Sequence, residues 1–191
     1  MILDTKACLL KKALTLFAAR GYDAVGVQEI VTAAGVTKPT LYHHFGNKRG
    51  LLEALLEERL APFQQQLAVA AAYDHDLTAA ITRVVHLYLD FAGGYATFFR
   101  LQRSMSYAPP DSEAFLAVSR FQQQQKKTLE QLFIAAVPDH GNLRGHHQLY
   151  ALTLLGMVYN VIAHAHSEGL AMDAELAQQT VQQFMHGIFA L

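Results

Sequence analysis

The sequence predicts an all-α protein. Apolar residues recur at helical spacing over most of the chain, and residues from about 70 to 191 lack the alternation that is typical of strands. Hydrophobic residues make up 52% of the 191 residues and charged residues only 16%. This is more apolar material than a soluble monomer needs, which favours an oligomer interface, a ligand cavity or both.

The first helix is predicted from Asp4 or Thr5 to about Arg20, with Gly21 ending it. A shorter helix follows, with apolar residues at i, i+3, i+4 and i+7 on one face: Val27, Ile30, Val31 and Ala34. Gly35 then provides the residue that can adopt a left-handed conformation where a helix ends.

The next segment has the features of a second short helix. Thr37 can cap it through its hydroxyl, and Pro39 falls in the first turn, where a missing N–H has no consequence. Leu41 and Phe45, four residues apart, point this helix inward against the preceding one. A support helix, a turn with glycine and a short second helix are the pattern of a helix-turn-helix.

The residues outside the apolar stripe of this second helix can bind nucleic acid. A cation, a hydroxyl, a phenol and an imidazole can each donate to a phosphate or contact a base edge. They are Lys38, Thr40, Tyr42 and His43, with Pro39 beside them. Lys48 and Arg49 open the following helix, where cations oppose the helix dipole, so an external anion would explain them. Ordinary solvated residues on a small helical domain are the alternative.

The stretch KPTLYHHFGNKRGLL, preceded by Gly21-Tyr22 and EIVTAAGVT, resembles the amino-terminal DNA-binding domain of the tetracycline-repressor (TetR) family. The resemblance covers roughly residues 5 to 60. It implies that Lys38, Pro39 and Tyr42 lie in the major groove of double-stranded DNA. The residues that it places on phosphates are Thr37, Thr40, Tyr42, His43, His44 and Lys48.

Two positions depart from the family pattern. Gly26 stands where a Ser or Thr cap is usual, so the second helix is expected to start less firmly. Gln28 stands where some members have an arginine that contacts a base, and a glutamine could read adenine instead. Both departures concern the operator sequence rather than DNA binding itself.

The predicted domains are a helix-turn-helix DNA-binding domain over residues 1–47 and a helical effector-binding and dimerisation domain over residues 48–191. Charge supports this division, since residues 1–50 contain seven basic and three acidic residues, a net of +4, whereas the whole chain carries −1. The remainder is therefore −5. A basic end on an acidic body is typical of a protein with one DNA-facing end.

The fourth helix is predicted to start near Asn47 and to run past Gln66. Five further helices are predicted at about 77–93, 95–104, 111–136, 145–167 and 172–190, with Asp76 capping the first of them. The segment 148–165 is apolar nearly all round and has no charge. A membrane span is one interpretation, but a helix buried on both sides is favoured. The resemblance implies that the last two helices pair with their copies in a homodimer, which would bind a palindromic operator.

Aromatic and methionine side chains of the body could line an apolar cavity for an effector, although such residues are more often plain core. Asn160 and His164 would supply polar groups that orient the ligand. The candidate ligand-binding residues are Tyr88, Phe91, Tyr95, Phe98, Phe99, Met105, Phe121, Tyr150, Met157, Asn160 and His164.

The ten histidines do not form a metal-binding pattern, because the sequence has no HExxH, CxxC or i,i+4 pair of histidines. No phosphate-binding glycine loop or GxSxG turn is present either. We therefore expect no metal, no cofactor and no enzymatic activity. Cys8 is the single cysteine, which fits a reducing cytoplasm, and Lys11 and Lys12 interrupt the apolar run that a signal peptide would need.

These observations predict a cytoplasmic, homodimeric transcriptional regulator, most simply a repressor that an unknown small apolar or aromatic effector releases from its operator. Two alternatives stay open. The chain could be a protein-interaction adaptor that retains a helix-turn-helix, which would show no duplex binding even at low salt. It could also be a helical ligand carrier or enzyme, which would show tight ligand binding or turnover without any effect on DNA.

Overall fold

The computed structural model describes residues 5–187, and every regular element in that range is helical, which confirms the all-α prediction. The helices are α1 Thr5–Arg20, α2 Val27–Ala34, α3 Lys38–Phe45, α4 Lys48–Ala70, α5 Leu77–Gly94, α6 Ala96–Ser106, α7 Glu113–Ala136, α8 His147–Glu168 and α9 Ala174–His186, with a 3-10 turn at Gly141–Leu143. The predicted cap at Asp4 and the predicted helical residues 188–190 lie outside the described residues.

The described chain divides into two compact units. The first runs to Pro62 and includes Thr97–Phe121, and the second comprises Phe63–Ala96 and the residues from Gln122 onward. Helices α4 and α7 are each continuous across the division. These units are defined by packing, and the predicted functional boundary between residues 47 and 48 stays a prediction.

The first four helices each contribute buried residues to the first unit. Helix α1 buries one face, α2 buries two branched residues, α3 buries a single leucine and α4 buries a dense leucine stripe. The most deeply buried of these side chains are Leu9, Ala13, Phe17, Ile30, Val31, Leu41, Leu51, Leu52, Leu55 and Leu56. Helix α3 is thus attached through one fully buried residue, Leu41, while the partly exposed Phe45 adds to the same side.

The turn between α2 and α3 has the predicted chemistry. Gly35 adopts φ +68°, in the left-handed region. Its N–H donates to the Thr32 carbonyl at 3.2 Å, and the N–H of Val36 donates to the Val31 carbonyl at 3.0 Å. This pair of hydrogen bonds is a Schellman motif, which satisfies the last carbonyls of α2 and turns the chain into α3.

The join between α3 and α4 is tight. The Asn47 side chain accepts a hydrogen bond from the N–H of Gly50 at 2.8 Å and so caps α4. A Cβ atom at Gly50 would overlap the backbone carbonyl oxygen of Phe45. Glycine is therefore required here by the close approach of two backbone segments.

The second unit packs α5 against α8 and α9. Asp76 caps α5 as predicted, accepting a hydrogen bond from the Ala79 N–H at 2.8 Å. Helix α5 buries eight residues of its inner face, including Tyr88. The rings of Phe63 and Tyr88 meet edge-on with centroids 4.9 Å apart, and that geometry is favourable for aromatic pairs.

The prediction that the helix over 148–165 is buried on both sides is wrong for the single chain. Helix α8 buries one face, but Leu149 is 61% exposed and Leu152 is 47% exposed. Thr153, Gly156 and Asn160 continue this exposed face. By length and composition α8 could also span a membrane, with 39% of its most apolar window buried, but core helices of soluble proteins pass the same test.

Candidate nucleic-acid interface

Helix α3 presents a polar face to solvent on the side opposite Leu41. Leu41 has no exposed surface, whereas the side chain of Tyr42 next to it is 45% exposed. The other exposed residues of this face are Lys38, Pro39, His43 and His44, with Thr40 partly exposed. The structure thus brings the groove and phosphate candidates of α3 together on one accessible surface.

Thr37 occupies the N-cap position of α3. The prediction that its hydroxyl caps the helix is wrong, because the side chain makes no capping hydrogen bond. Its Oγ1 lies 2.9 Å from Oγ1 of Thr40, so the two hydroxyls bond to each other. Both therefore lie side by side at the start of α3. Two hydroxyls at a helix N-terminus, beside backbone N–H groups, are suited to a phosphate.

Gln28 lies on the exposed side of α2, as a base-contacting residue must. Its Nε2 donates to the Thr32 hydroxyl at 3.3 Å across one turn. This bond holds the amide against α2. The bond would have to break before the side chain could contact an adenine edge.

The start of α2 is firmer than Gly26 alone would make it. The Glu29 carboxylate accepts the Gly26 N–H at 3.0 Å and forms an ion pair with Arg20. The hydrogen bond from Gly26, followed by that from Arg20, lowers the pKa of Glu29. Arg20 also donates to the Ala24 carbonyl at 3.1 Å, so α1, the loop and α2 are linked by one polar network.

Lys48 is a structural anchor in this structure. Its Nζ donates to the carbonyls of Tyr22 at 3.2 Å and Val25 at 3.1 Å, and it lies 4.1 Å from the centre of the Tyr22 ring. An ammonium group has three donors, so one N–H is left over for a phosphate. The role of Lys48 as a phosphate ligand stays a prediction, whereas its two hydrogen bonds to the loop between α1 and α2 are present in the structure.

Tyr22 has a second partner that sequence reasoning missed. Its ring is 3% exposed, and its hydroxyl donates to Glu113 at 2.6 Å. Burial, followed by this bond to a carboxylate, raises the pKa of the Tyr22 phenol above its usual value. Because 91 residues separate the two partners, no local sequence pattern indicates their contact.

The predicted ligand-binding residues do not share one environment. Phe98, Phe99, Met105 and Phe121 belong to the first unit and are buried. In the second unit Tyr88 is buried, and three others are partly exposed: Phe91, Tyr150 and Met157. Tyr95, Asn160 and His164 are exposed. Their assignment to a ligand site stays a prediction, and the last three have the surface position of interface or rim residues.

A buried polar triad lies among the aromatic residues of the second unit. Tyr159 donates to Oε1 of Gln125 at 2.6 Å, and Tyr88 approaches the same oxygen at 3.4 Å. Gln125 is 1% exposed. Burial, followed by the neighbouring Tyr159, raises the pKa of Tyr88. Gln125 escaped the sequence prediction because it lies within a run of four glutamines, where its burial has no distinguishing signal.

The second unit also has an open groove of about 610 Å³ between the end of α4 and α5. Its lining is mainly apolar, with charged and polar groups at the rim. The lining residues are Gln65, Gln66, Val69, Ala70, Thr82, Arg83, His86, Leu87 and Asp90. Arg83 is held across the groove by hydrogen bonds to the carbonyls of Ala70 and Ala72 at 3.1 and 2.7 Å.

Helix α3 has a buried side and an exposed polar side, and it follows the Schellman turn. This arrangement is that of a DNA-binding helix-turn-helix domain. Residues 9–55 match the family model described as bacterial regulatory proteins, tetR family. The segment 9–55 is therefore similar to the DNA-binding domain of TetR-family regulators.

Two curated relatives and one solved structure extend this comparison. The chain is 39% identical over 94 residues to the transposon Tn10 TetC protein of Escherichia coli, a match that covers 46% of this chain and 44% of TetC. It thus spans less than half the length of that relative. It is 22% identical over 178 residues to the HTH-type transcriptional regulator UidR of Escherichia coli, covering 91% and 88% of the two chains.

The transcriptional regulator FadR of Bacillus subtilis, solved in complex with stearoyl-CoA, has a similar structure. The TM-score is 0.79 at 16% identity, with 95% of this chain and 98% of that chain covered. At this identity the likeness shows that the fold is shared over nearly the whole length.

Replacement of Lys48 by glutamine tests its role as an anchor. We expect Lys48→Gln to lower the free energy of unfolding by about 1–2 kcal/mol, because two carbonyls lose a charged donor. Urea denaturation followed by circular dichroism measures this. Lys38→Gln is the control, since Lys38 is exposed on α3 and its replacement should leave stability unchanged. A Lys48→Gln variant as stable as the wild type would show that the anchor is dispensable.

Proposed function

We propose that the chain is a homodimeric transcriptional repressor that binds a palindromic operator and is released by a small apolar or aromatic effector. The observation that carries the proposal is the division of α3 into one buried anchor, Leu41, and an exposed face of groove-compatible residues. The similar family is named after a repressor, which supports repression rather than activation. The cytoplasm is the compartment in which such a protein meets its operator.

The dimensions and chemistry of α3 suit the major groove. A helix with its side chains is about 10–12 Å across, which matches a groove of about 12 Å. Lys38, Pro39 and Tyr42 would enter the groove, and Gln28 would approach an adenine edge from α2. The surrounding residues would hold phosphates: Thr37, Thr40, Tyr42, His43, His44 and Lys48.

The exposed face of α8 supports dimerisation. Leu149 and Leu152 expose large apolar surface, and Gly156 follows them on the same face with no atom near the position of a Cβ. Two such faces can approach closely across a twofold axis, as in a helix bundle. A twofold dimer would present two copies of α3 to half-sites about one turn of DNA, ~34 Å, apart.

The second unit supports an effector site in the body. It contains both the aromatic cluster around Tyr88 and the mainly apolar groove between α4 and α5. A ligand with an apolar body and a few polar atoms fits this chemistry. The stearoyl-CoA bound by the structurally similar FadR supports an apolar class of effector without identifying it.

Release follows if the effector favours a conformation in which the two DNA-binding domains no longer match the operator. We call this predicted domain, residues 1–47, the head. Helix α4 continues from the DNA-binding head into the second unit, so a tilt of α4 would move the head. The operator affinity then falls by the differential affinity of the effector for the two conformations, typically about 1–3 kcal/mol.

Replacement of Tyr42 tests the assignment of α3 to the groove. We expect Tyr42→Ala to weaken binding to a selected operator duplex by about 1–3 kcal/mol, roughly 5- to 150-fold, because a groove contact is lost. Fluorescence anisotropy at fixed salt measures the affinity. Tyr107→Ala is the matched control, since Tyr107 is also exposed but lies outside α1–α4. Equal affinity of Tyr42→Ala and wild type would argue strongly against this function.

A charge placed on α8 tests the dimer. Leu152→Glu should convert the dimer to a monomer, because a carboxylate would be buried at the interface without a partner. Light scattering after gel filtration measures the mass. Leu116→Glu is the control, since Leu116 on α7 is equally exposed at 47% and should leave the dimer intact. A Leu152→Glu variant that stays dimeric would place the interface elsewhere.

A further inference from the structure

We infer that the hydrogen bond between Tyr22 and Glu113 is the positioning contact through which α7 sets the orientation of the DNA-reading head. This inference rests on the proposed function and adds the residues through which the head is held. Neither Tyr22 nor Glu113 belongs to the surface proposed to contact DNA.

Tyr22 is placed to control the head because it lies between α1 and α2. Its ring packs on Phe17 of α1 at 5.1 Å between centroids. Its carbonyl accepts from Lys48, which also binds the Val25 carbonyl just before α2. A displacement of Tyr22 therefore acts on α1, on the start of α2 and on the start of α4 together.

Glu113 can respond to changes in the second unit because it is the first residue of α7. This helix runs on for 24 residues and enters the second unit at Gln122. Gln125, which bonds to the buried Tyr159, lies twelve residues beyond Glu113 on the same helix, about 18 Å at 1.5 Å per residue. A helix transmits an axial shift or rotation along such a distance as a rigid element.

The bond to Tyr22 matters because the packing nearby is permissive. The first buried residues of α7 are the small residues Ala114, Ala117 and Val118, and packed helices can slide past one another over small distances. A cavity of about 280 Å³ also borders Tyr22, and its lining combines the loop after α1 with the end of α6 and the start of α7. The hydrogen bond thus adds a directional restraint to the apolar packing of Tyr22 on Phe17.

A second polar link from α7 within this unit is more exposed. Arg120 lies 3.4 Å from Glu57 of α4, with side chains 54% and 59% exposed. Exposed ion pairs of this kind contribute little. The bond from Tyr22 to Glu113, at 2.6 Å, is partly buried although Glu113 itself is exposed, and it is the better shielded of the two links.

A positioning role of this bond affects the preference for half-site spacing, whereas a contribution to stability alone does not. A dimer must place two heads at one defined separation, and a loosened head loses conformational entropy when it binds both half-sites. Without the bond, the affinity for the correctly spaced operator should fall. Duplexes with one base pair more or less between half-sites bind more weakly than the correctly spaced duplex. This loss of affinity should be smaller for a variant without the bond than for the wild type.

The experiment compares Tyr22→Phe, Glu113→Ala and the double variant on duplexes selected by the wild-type chain. Each single variant should bind the correctly spaced duplex about fivefold more weakly, and the double variant should be no weaker than the singles. Preference for the correct spacing should fall by a similar factor. Tyr73→Phe is the matched control, because Tyr73 also donates to a carboxylate, Asp139 at 2.7 Å, but in the second unit.

The outcomes separate this inference from the proposed function. If the wild type binds duplexes but both variants keep its affinity and spacing preference, the inference alone is overturned. A uniform loss at every spacing would show a purely structural bond, and a gain in affinity would show a bond that holds the head away from DNA. Either result also overturns it. If the wild type binds no duplex, the proposed function fails and the inference fails with it.

Discussion

The attachment of α3 through Leu41 keeps the polar side of this helix accessible. An eight-residue helix does not persist in water by itself. It persists here because Leu41 is fully buried in the core of the head, while the Schellman turn at Gly35 and the close backbone approach at Gly50 fix its two ends. One buried side chain leaves most of the helix surface available for recognition.

The head is held together by polar contacts that also determine its orientation. Lys48, Tyr22 and Glu113 form a chain of bonds from the start of α4 through the loop after α1 to the start of α7. The pair of Arg20 and Glu29 gives α2 the support that Gly26 lacks. Under the proposed function, a surface that reads DNA at a defined separation needs such a frame.

Local chemistry was sufficient to predict the elements, and long-range contacts were not predictable. The helix ends at Gly35 and Asp76 follow from the conformational and capping preferences of those residues, and the structure has both. The contact of Tyr22 with Glu113 and the burial of Gln125 depend on residues far away in the sequence. The error on α8 has a different cause, because an apolar composition does not distinguish burial by the same chain from burial by a second copy.

The most direct test of this account is the selection of duplexes from a random library by the wild-type chain, followed by methylation interference on the selected sites. We expect two equivalent half-sites related by a dyad, with interference at the major-groove N7 atoms of guanines in both. An enriched site without a dyad, or interference confined to the minor groove, would contradict the claim that a symmetric pair of α3 helices reads the operator.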